Sequence, residues 1–225
     1  MSTGNIKLLK RAVVVGSLFV ALSPLACLAD LYYSGSLTGD KGGITATDGW
    51  DNPGTKITWI VTQNQDLTWN YHYEFTVPTG SKALSHIIFE VSEKFDDLDY
   101  TYNGGLTADL DWYGPGDPSN PGIQDRIHGI KFEGFSDGMY TWVIEFDSTH
   151  VPVWGDFYAK DGKEATTDGK IQVYAYNTGF TANDVDEATN HILVPDTVSY
   201  VPIPGALLLG TLGLGVAGLR LRRTV

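Results

Sequence analysis

Cysteine is nearly missing from this chain: Cys27 is the only one in 225 residues. From position 30 onward there is none. Disulfides are therefore excluded there, even in a compartment that permits them, and so is a thiol nucleophile. Basic residues are scarce as well, with 15 Lys and Arg against 27 Asp and Glu and a formal charge of −12. Between positions 30 and 200 the count is nine against twenty-seven, a net of −18. Such a surface repels nucleic acid and anionic lipid, and it can attract cations. Zinc spacings are lacking too. His72, His86, His128, His150 and His191 are scattered, and none falls in H-E-x-x-H. The middle of the chain has no internal repeat and no long helical period.

Charge disappears altogether in a segment near each terminus. Lys7, Lys10 and Arg11 precede an apolar run from Ala12 to Leu22, and Ser-Pro-Leu-Ala-Cys-Leu-Ala follows. A basic start, an apolar core of this length and a small-residue cleavage zone predict a signal peptide over 1–29, cut after Ala29. The run is too short for a transmembrane anchor. Lipidation of Cys27 is the alternative processing, for which Pro24-Leu-Ala26 is a poor lead-in. Near the other end, Val201 to Leu219 is free of charge. As a helix it would span about 28 Å, close to the roughly 30 Å hydrocarbon core. Arg220, Arg222 and Arg223 follow at once and mark the cytoplasmic side. Within this run Gly213-Leu-Gly215-Val-Ala-Gly218 fits G-x-G-x-x-G. It lacks the βαβ setting and the following acidic residue of a dinucleotide loop, so the spacing reads as chance in a glycine-rich apolar segment.

Val201-Pro202-Ile203-Pro204, the glycine-containing apolar run and the arginine cluster together resemble the bacterial PEP-CTERM sorting signal. The namesake motif has Glu where Ile203 stands. The resemblance implies recognition of 201–225 by an exosortase, a membrane transpeptidase, through Val201, Pro202, Pro204, Arg220, Arg222 and Arg223. It implies export through the inner membrane, anchorage by one C-terminal transmembrane helix, and removal of the tail near the Pro motif. The product would reach the cell surface or an extracellular, polysaccharide-containing matrix such as a biofilm. The stretches "VPVWGDFYAKDGK" and "HILVPDT" are also similar to cargo domains of this class, a likeness that implies no activity.

The segment 30–200 is one domain's length. Its pattern is β throughout. Strands are expected at Leu31–Leu37, Lys56–Gln63, Thr68–Val77, Ala83–Ser92, Ile127–Glu133, Tyr140–Asp147, Trp154–Lys160 and Ile171–Asn177, each short, rich in β-branched and aromatic residues and bounded by turn formers. In "TWNYHYEFTV", Trp69, Tyr71, Tyr73 and Phe75 share one face, and Gln63–Asp66 reads as a hairpin connection. Eight or so strands without intervening helices predict an all-β fold, an antiparallel β-sandwich of which the jelly roll is one form.

Tyr100 to Arg126 reads as a long loop rich in turn formers. Its Asp109 and Asp111 are the leading candidates for Ca²⁺, which takes six to eight oxygens, although no EF-hand spacing is present; Asp96, Asp97 and Asp99 are a weaker set. Trp112 and Tyr113 in this loop, and Trp50 in the turn-like "DGWDNPG", are the aromatics expected to be exposed. Exposed Trp and Tyr stack sugar rings, so these three are the candidate glycan contacts, with exopolysaccharide as the partner. Glu145 and Asp147 are two apart on one strand, about 7 Å. That separation suits the paired carboxylates of a glycan-processing hydrolase and equally an ordinary solvated sheet face. The sequence favours a non-enzymatic exported protein, with the hydrolase as the alternative.

Overall fold

The computed structural model describes residues 31–51, 53–102, 105–161, 164–166, 169–181 and 190–195. The expected signal peptide and the sorting tail, including Val201, Pro202, Pro204, Arg220, Arg222 and Arg223, lie outside these residues. Among the described residues no helix is long and apolar enough to cross a membrane. Two single 3-10 turns, Gly39–Lys41 and Asp48–Trp50, are the only helical pieces among them.

The rest is antiparallel β. The strands are β1 Tyr32–Thr38, β2 Ile44–Ala46, β3 Lys56–Gln63, β4 Trp69–Thr76, β5 Leu84–Glu90, β6 Tyr100–Tyr102, β7 Thr107–Tyr113, β8 Ile127–Glu133, β9 Thr141–Ser148, β10 Pro152–Gly155, β11 Phe157–Asp161, β12 Glu164–Thr166, β13 Gly169–Ile171, β14 Tyr174–Asn177 and β15 Ile192–Pro195. One sheet has the order β1-β3-β4-β9-β6, and a second β2-β14-β11-β5-β8-β7. The pairs β10-β15 and β12-β13 stand apart from both.

Alternation fixes which side of each strand faces the interior. In β4, Trp69, Tyr71, Tyr73 and Phe75 are buried, as the period of two predicts. Trp142, Ile144 and Phe146 of β9 and Ile57, Trp59 and Val61 of β3 join them. Against this face lie Ile87 and Phe89 of β5, Phe132 of β8 and Phe157 of β11. Rings meet across the seam. Tyr73 stacks on Phe89 at 4.1 Å, Phe132 on Phe146 at 5.4 Å, and Phe75 meets Phe157 edge-on. Each such side chain contributes about 1.5–3 kcal/mol by burial, and a well-placed ring pair about 0.5–1.5 kcal/mol more. Two fully buried tyrosines of this seam find acceptors: Tyr71 Oη donates to the His150 carbonyl at 2.9 Å, and Tyr73 Oη to the Leu193 carbonyl at 2.7 Å. This aromatic interior holds together a body whose sequence from position 30 onward has no cysteine.

Two expected strands are divided. Trp154–Lys160 breaks at Asp156, where the chain leaves its ladder with β15 and enters the six-stranded sheet. Ile171–Asn177 resolves into the last residue of β13 and the whole of β14. The 63–66 connection is a tight hairpin in which Leu67 takes φ 73° and Asp66 Oδ1 accepts the Thr68 N–H and hydroxyl.

Candidate functional site

The loop expected from Tyr100 to Arg126 is corrected: β6 and β7 occupy its first half. β7 is an edge strand paired with β8 from Thr107↔Glu133 to Tyr113↔Ile127. Ala108 and Leu110 turn toward the core, while Thr107, Asp109 and Asp111 are exposed. Half of an edge strand faces water, and its polar residues disguise the period as loop composition.

This placement changes the expected metal site. Asp109 lies opposite Lys131, whose ammonium bonds Glu133 at 3.0 Å, and its Oδ2 accepts the Tyr113 hydroxyl at 3.2 Å. Asp111 Oδ1 accepts the Trp112 N–H at 2.7 Å. Among the described residues no group of three or more His, Cys, Asp or Glu is arranged to hold a metal ion. In the weaker set, Asp99 faces His150 Nε2 at 2.9 Å and its Oδ2 accepts the Asp96 N–H, while Asp96 caps the Leu98 N–H.

Expected exposure of the aromatics holds for one of three. Trp112 is 39% exposed; the Arg126 guanidinium lies 4.3 Å from its ring and the His128 ring 5.1 Å away. Trp50 is corrected to fully buried: its 3-10 turn folds the indole onto Phe75, and its N–H reaches the Lys82 carbonyl at 3.2 Å. Tyr113, at 6% exposed, is corrected likewise. It packs with Ile123 and Ile127 under the following loop, and burial, then Asp109, drives its phenol far above the usual range. A three-ring sugar platform from Trp50, Trp112 and Tyr113 is therefore not assembled.

Glu145 and Asp147 do share the outer face of β9. Asn70 Nδ2 donates to both, to Glu145 Oε1 at 3.1 Å and Asp147 Oδ1 at 3.0 Å, and His72 Nδ1 lies 3.7 Å from Glu145. These are neighbours across the β4–β9 ladder on a solvated face. The pocket beside Asp147 is a shallow one of about 90 Å³, lined also by Leu98, Asp99 and Tyr100.

The fold also closes a buried polar knot that no sequence motif marks. Asp156 Oδ1 accepts Asn177 Nδ2 at 2.6 Å and His191 Nδ1 at 2.9 Å, and the Asp156 N–H donates to Glu90 Oε2 at 3.0 Å. Burial, then the Asp156 charge, raises Glu90 to about 7. Nearby on the same sheet face, His86 Nε2 bonds Asn120 Oδ1 at 2.8 Å, and burial lowers His86 to about 4. Residues so far apart in the chain leave no local signal of their meeting. A second feature did leave one. Gly134-Phe-Ser136-Asp-Gly138 fits G-x-S-x-G in the sequence. Ser136 lies in the connection between β8 and β9, so no helix follows it and the strand–turn–helix elbow of such a nucleophile is not formed. Phe135 and Asp137 line a cleft of about 400 Å³ with Lys82, Leu84 and Ser85.

The chain matches no protein-family model, no curated protein and no solved structure at a significant level.

Proposed function

We propose that this chain is an exported surface or matrix protein, delivered as a two-sheet β-sandwich by an exosortase-type sorting system and acting by binding rather than catalysis. The observation that carries this reading is the joint presence of the leader over 1–29 and the Pro-motif, apolar run and arginine cluster over 201–225, flanking a body of net charge −18. An acidic, cysteine-free body built on an aromatic interior suits export followed by life in water. On that body Trp112 is the one expected sugar contact that stays exposed, with Arg126 beside it to donate to hydroxyls.

Mass spectrometry of the protein recovered from its producing cells tests the sorting half. The expected mature N-terminus is Asp30, with a C-terminus at or near Val201–Pro204. An intact 225-residue product in the cytosol overturns it. For the binding half, retention on extracellular polysaccharide should fall at least tenfold in Trp112→Ala without sugar release by the parent protein. Sugar release abolished by Glu145→Gln would instead establish the hydrolase.

A further inference from the structure

We propose that β1 is a self-association edge, through which two copies of this chain join their five-stranded sheets into one continuous antiparallel sheet. β1 bonds β3 on one side only. The Gln63 N–H donates to the Leu31 carbonyl, which sets the phase: Leu31, Tyr33, Gly35 and Leu37 bond β3, while the peptide groups of Tyr32, Ser34 and Ser36 point away from it. Among the described residues nothing hydrogen-bonds the backbones of Tyr32, Ser34 and Ser36. The side chains along this edge are open as well, with Tyr32 64% exposed and Leu31 and Tyr33 over two-fifths exposed.

Natural edges are guarded by charge, proline or a covering element. The strand "YYSGSLT" has no charge and no proline. The opposite sheet shows the guarded form, since β7 carries Asp109 and Asp111 along its edge. The occupant follows from charge. A body of net −18 repels its own copy, so two copies can approach only where carboxylates are remote. Beside β1 the outward residues of β3 are Lys56, Thr58, Ile60 and Thr62; the first carboxylate on those strands is Glu74 of β4, and Asp40, in the turn just past β1, has Lys41 next to it. With strands about 4.8 Å apart, a β1–β1 seam holds the two Glu74 strands roughly 24 Å apart, well beyond a Debye length of about 8 Å. A β7–β7 seam would instead place the Asp109–Asp111 pairs one strand spacing from each other.

One register fits best. Centring the two-fold axis on Ser34 places Ser34 opposite Ser34 and Tyr32 opposite Ser36, so that all three outward residues exchange both peptide hydrogen bonds. On the inner face it sets Leu31 against Leu37, and Tyr33 against Gly35, over which the Trp59 indole lies as a surface for the incoming ring. Gly35 is required in its own right, because the Trp59 indole fills the place of a Cβ there.

Full-length chain carrying Cys27→Ser, in mild detergent, tests this. With Ser34→Cys the two thiols face each other at a Cα separation of about 5.5 Å, within disulfide reach. Rapid oxidation to a covalent dimer is expected, at least tenfold faster than for Ser36→Cys, whose thiols are offset along the seam. Ser34→Pro removes only an N–H that β3 does not use. Light scattering should show the dimer lost, with the melting temperature held. Dimerisation should strengthen with added salt as the residual repulsion is screened. A protein that stays monomeric to about 100 μM overturns the proposal. So do equal crosslinking at positions 34 and 36 and a dimer that survives Ser34→Pro. If Ser34→Pro fails to fold, the contrast between the two cysteine variants still decides.

Discussion

The outer faces of the two large sheets follow the same alternation and meet different fates. On the five-stranded sheet Thr58, Ile60, Thr62, Asn70, His72, Glu74, Glu145 and Asp147 stand in water, linked by exposed contacts such as Asn70 to Glu145. On the six-stranded sheet Ile88, Tyr113, Ile127 and Tyr158 form a second apolar cluster roofed by Ile123 and Phe180. Residues 114–126, what remains of the loop expected over Tyr100–Arg126, therefore serve as a cover. Asn120 and Ile123 are buried, and the Tyr158 hydroxyl donates to the Pro121 carbonyl at 2.6 Å. A sheet buried on both sides holds its polar groups at a cost that a half-wet sheet avoids.

The largest effect should come from emptying the covered face. Tyr158→Ala removes a fully buried ring together with its bond to the cover, and about 3–5 kcal/mol of stability should be lost in denaturant melts. Ile60→Ala on the open face should cost under about 1 kcal/mol. Equal losses would mean that the cover does not bury its sheet.

Next in size is a pH signature confined to the covered side. The folded protein keeps the Glu90 proton up to about pH 7, while the unfolded chain releases it near 4.5. The Glu90 contribution to stability should therefore fall as pH rises between those values and stay lower above them. Glu90→Gln abolishes that loss, so at pH 8 the variant should gain up to about 3 kcal/mol over the parent and nothing at pH 4. His86 acts in the other direction: its folded value near 4 lies below the ordinary 6.5, so stability falls as pH drops between them. Between about pH 4.5 and 6.5 the two slopes oppose each other, so urea midpoints of the parent should be nearly flat there, while Glu90→Gln should unmask the acid limb as midpoints that fall steadily from about pH 6.5 to 4.

The same contrast explains what was legible in the sequence. The open sheet announced itself: β3 matches its expected bounds at both ends and β4 differs by one residue at each, because one wet face gives clean alternation. The covered sheet was uneven: β8 matches its expected Ile127–Glu133 at both ends, while the strands beside it blurred. Ile87 and Ile88 are adjacent and both buried, and every residue of β11 is buried, so a period of two is not printed there. The exposed half of β7 looked like loop. The candidate contacts fared by the same rule, since exposure was inferred from loop composition. It holds for Trp112 and fails for Trp50 and Tyr113, which local turns and the 114–126 cover carry inward.

A smaller, sharper probe lies at the cover's bend. Gly122 adopts φ +73°, and a Cβ there would meet the Tyr174 ring. Gly122→Ala combines a strained backbone with a displaced aromatic, and about 1–3 kcal/mol should be lost. Tyr174 packs against Tyr158, so the loss should be less than additive with Tyr158→Ala, which already loosens the ring's surroundings.

The smallest effect belongs to the open face. Asn70 donates to Glu145 and Asp147 together, and Asn64 adds a bond to Asp147 at 3.2 Å. In Asn70→Ala, water replaces the lost amide at carboxylates that are already solvated, so the cost should stay near 0.5–1 kcal/mol. Its salt dependence is the informative part. Asn70 bridges two like charges, and without it their repulsion is met by solvent and ions alone. The deficit should therefore be larger in dilute buffer and shrink toward zero at about 1 M salt, where the Debye length is about 3 Å. A salt-independent loss of several kcal/mol would show that Asn70 holds up the packing beneath it, and that the two faces are less different than their solvation implies.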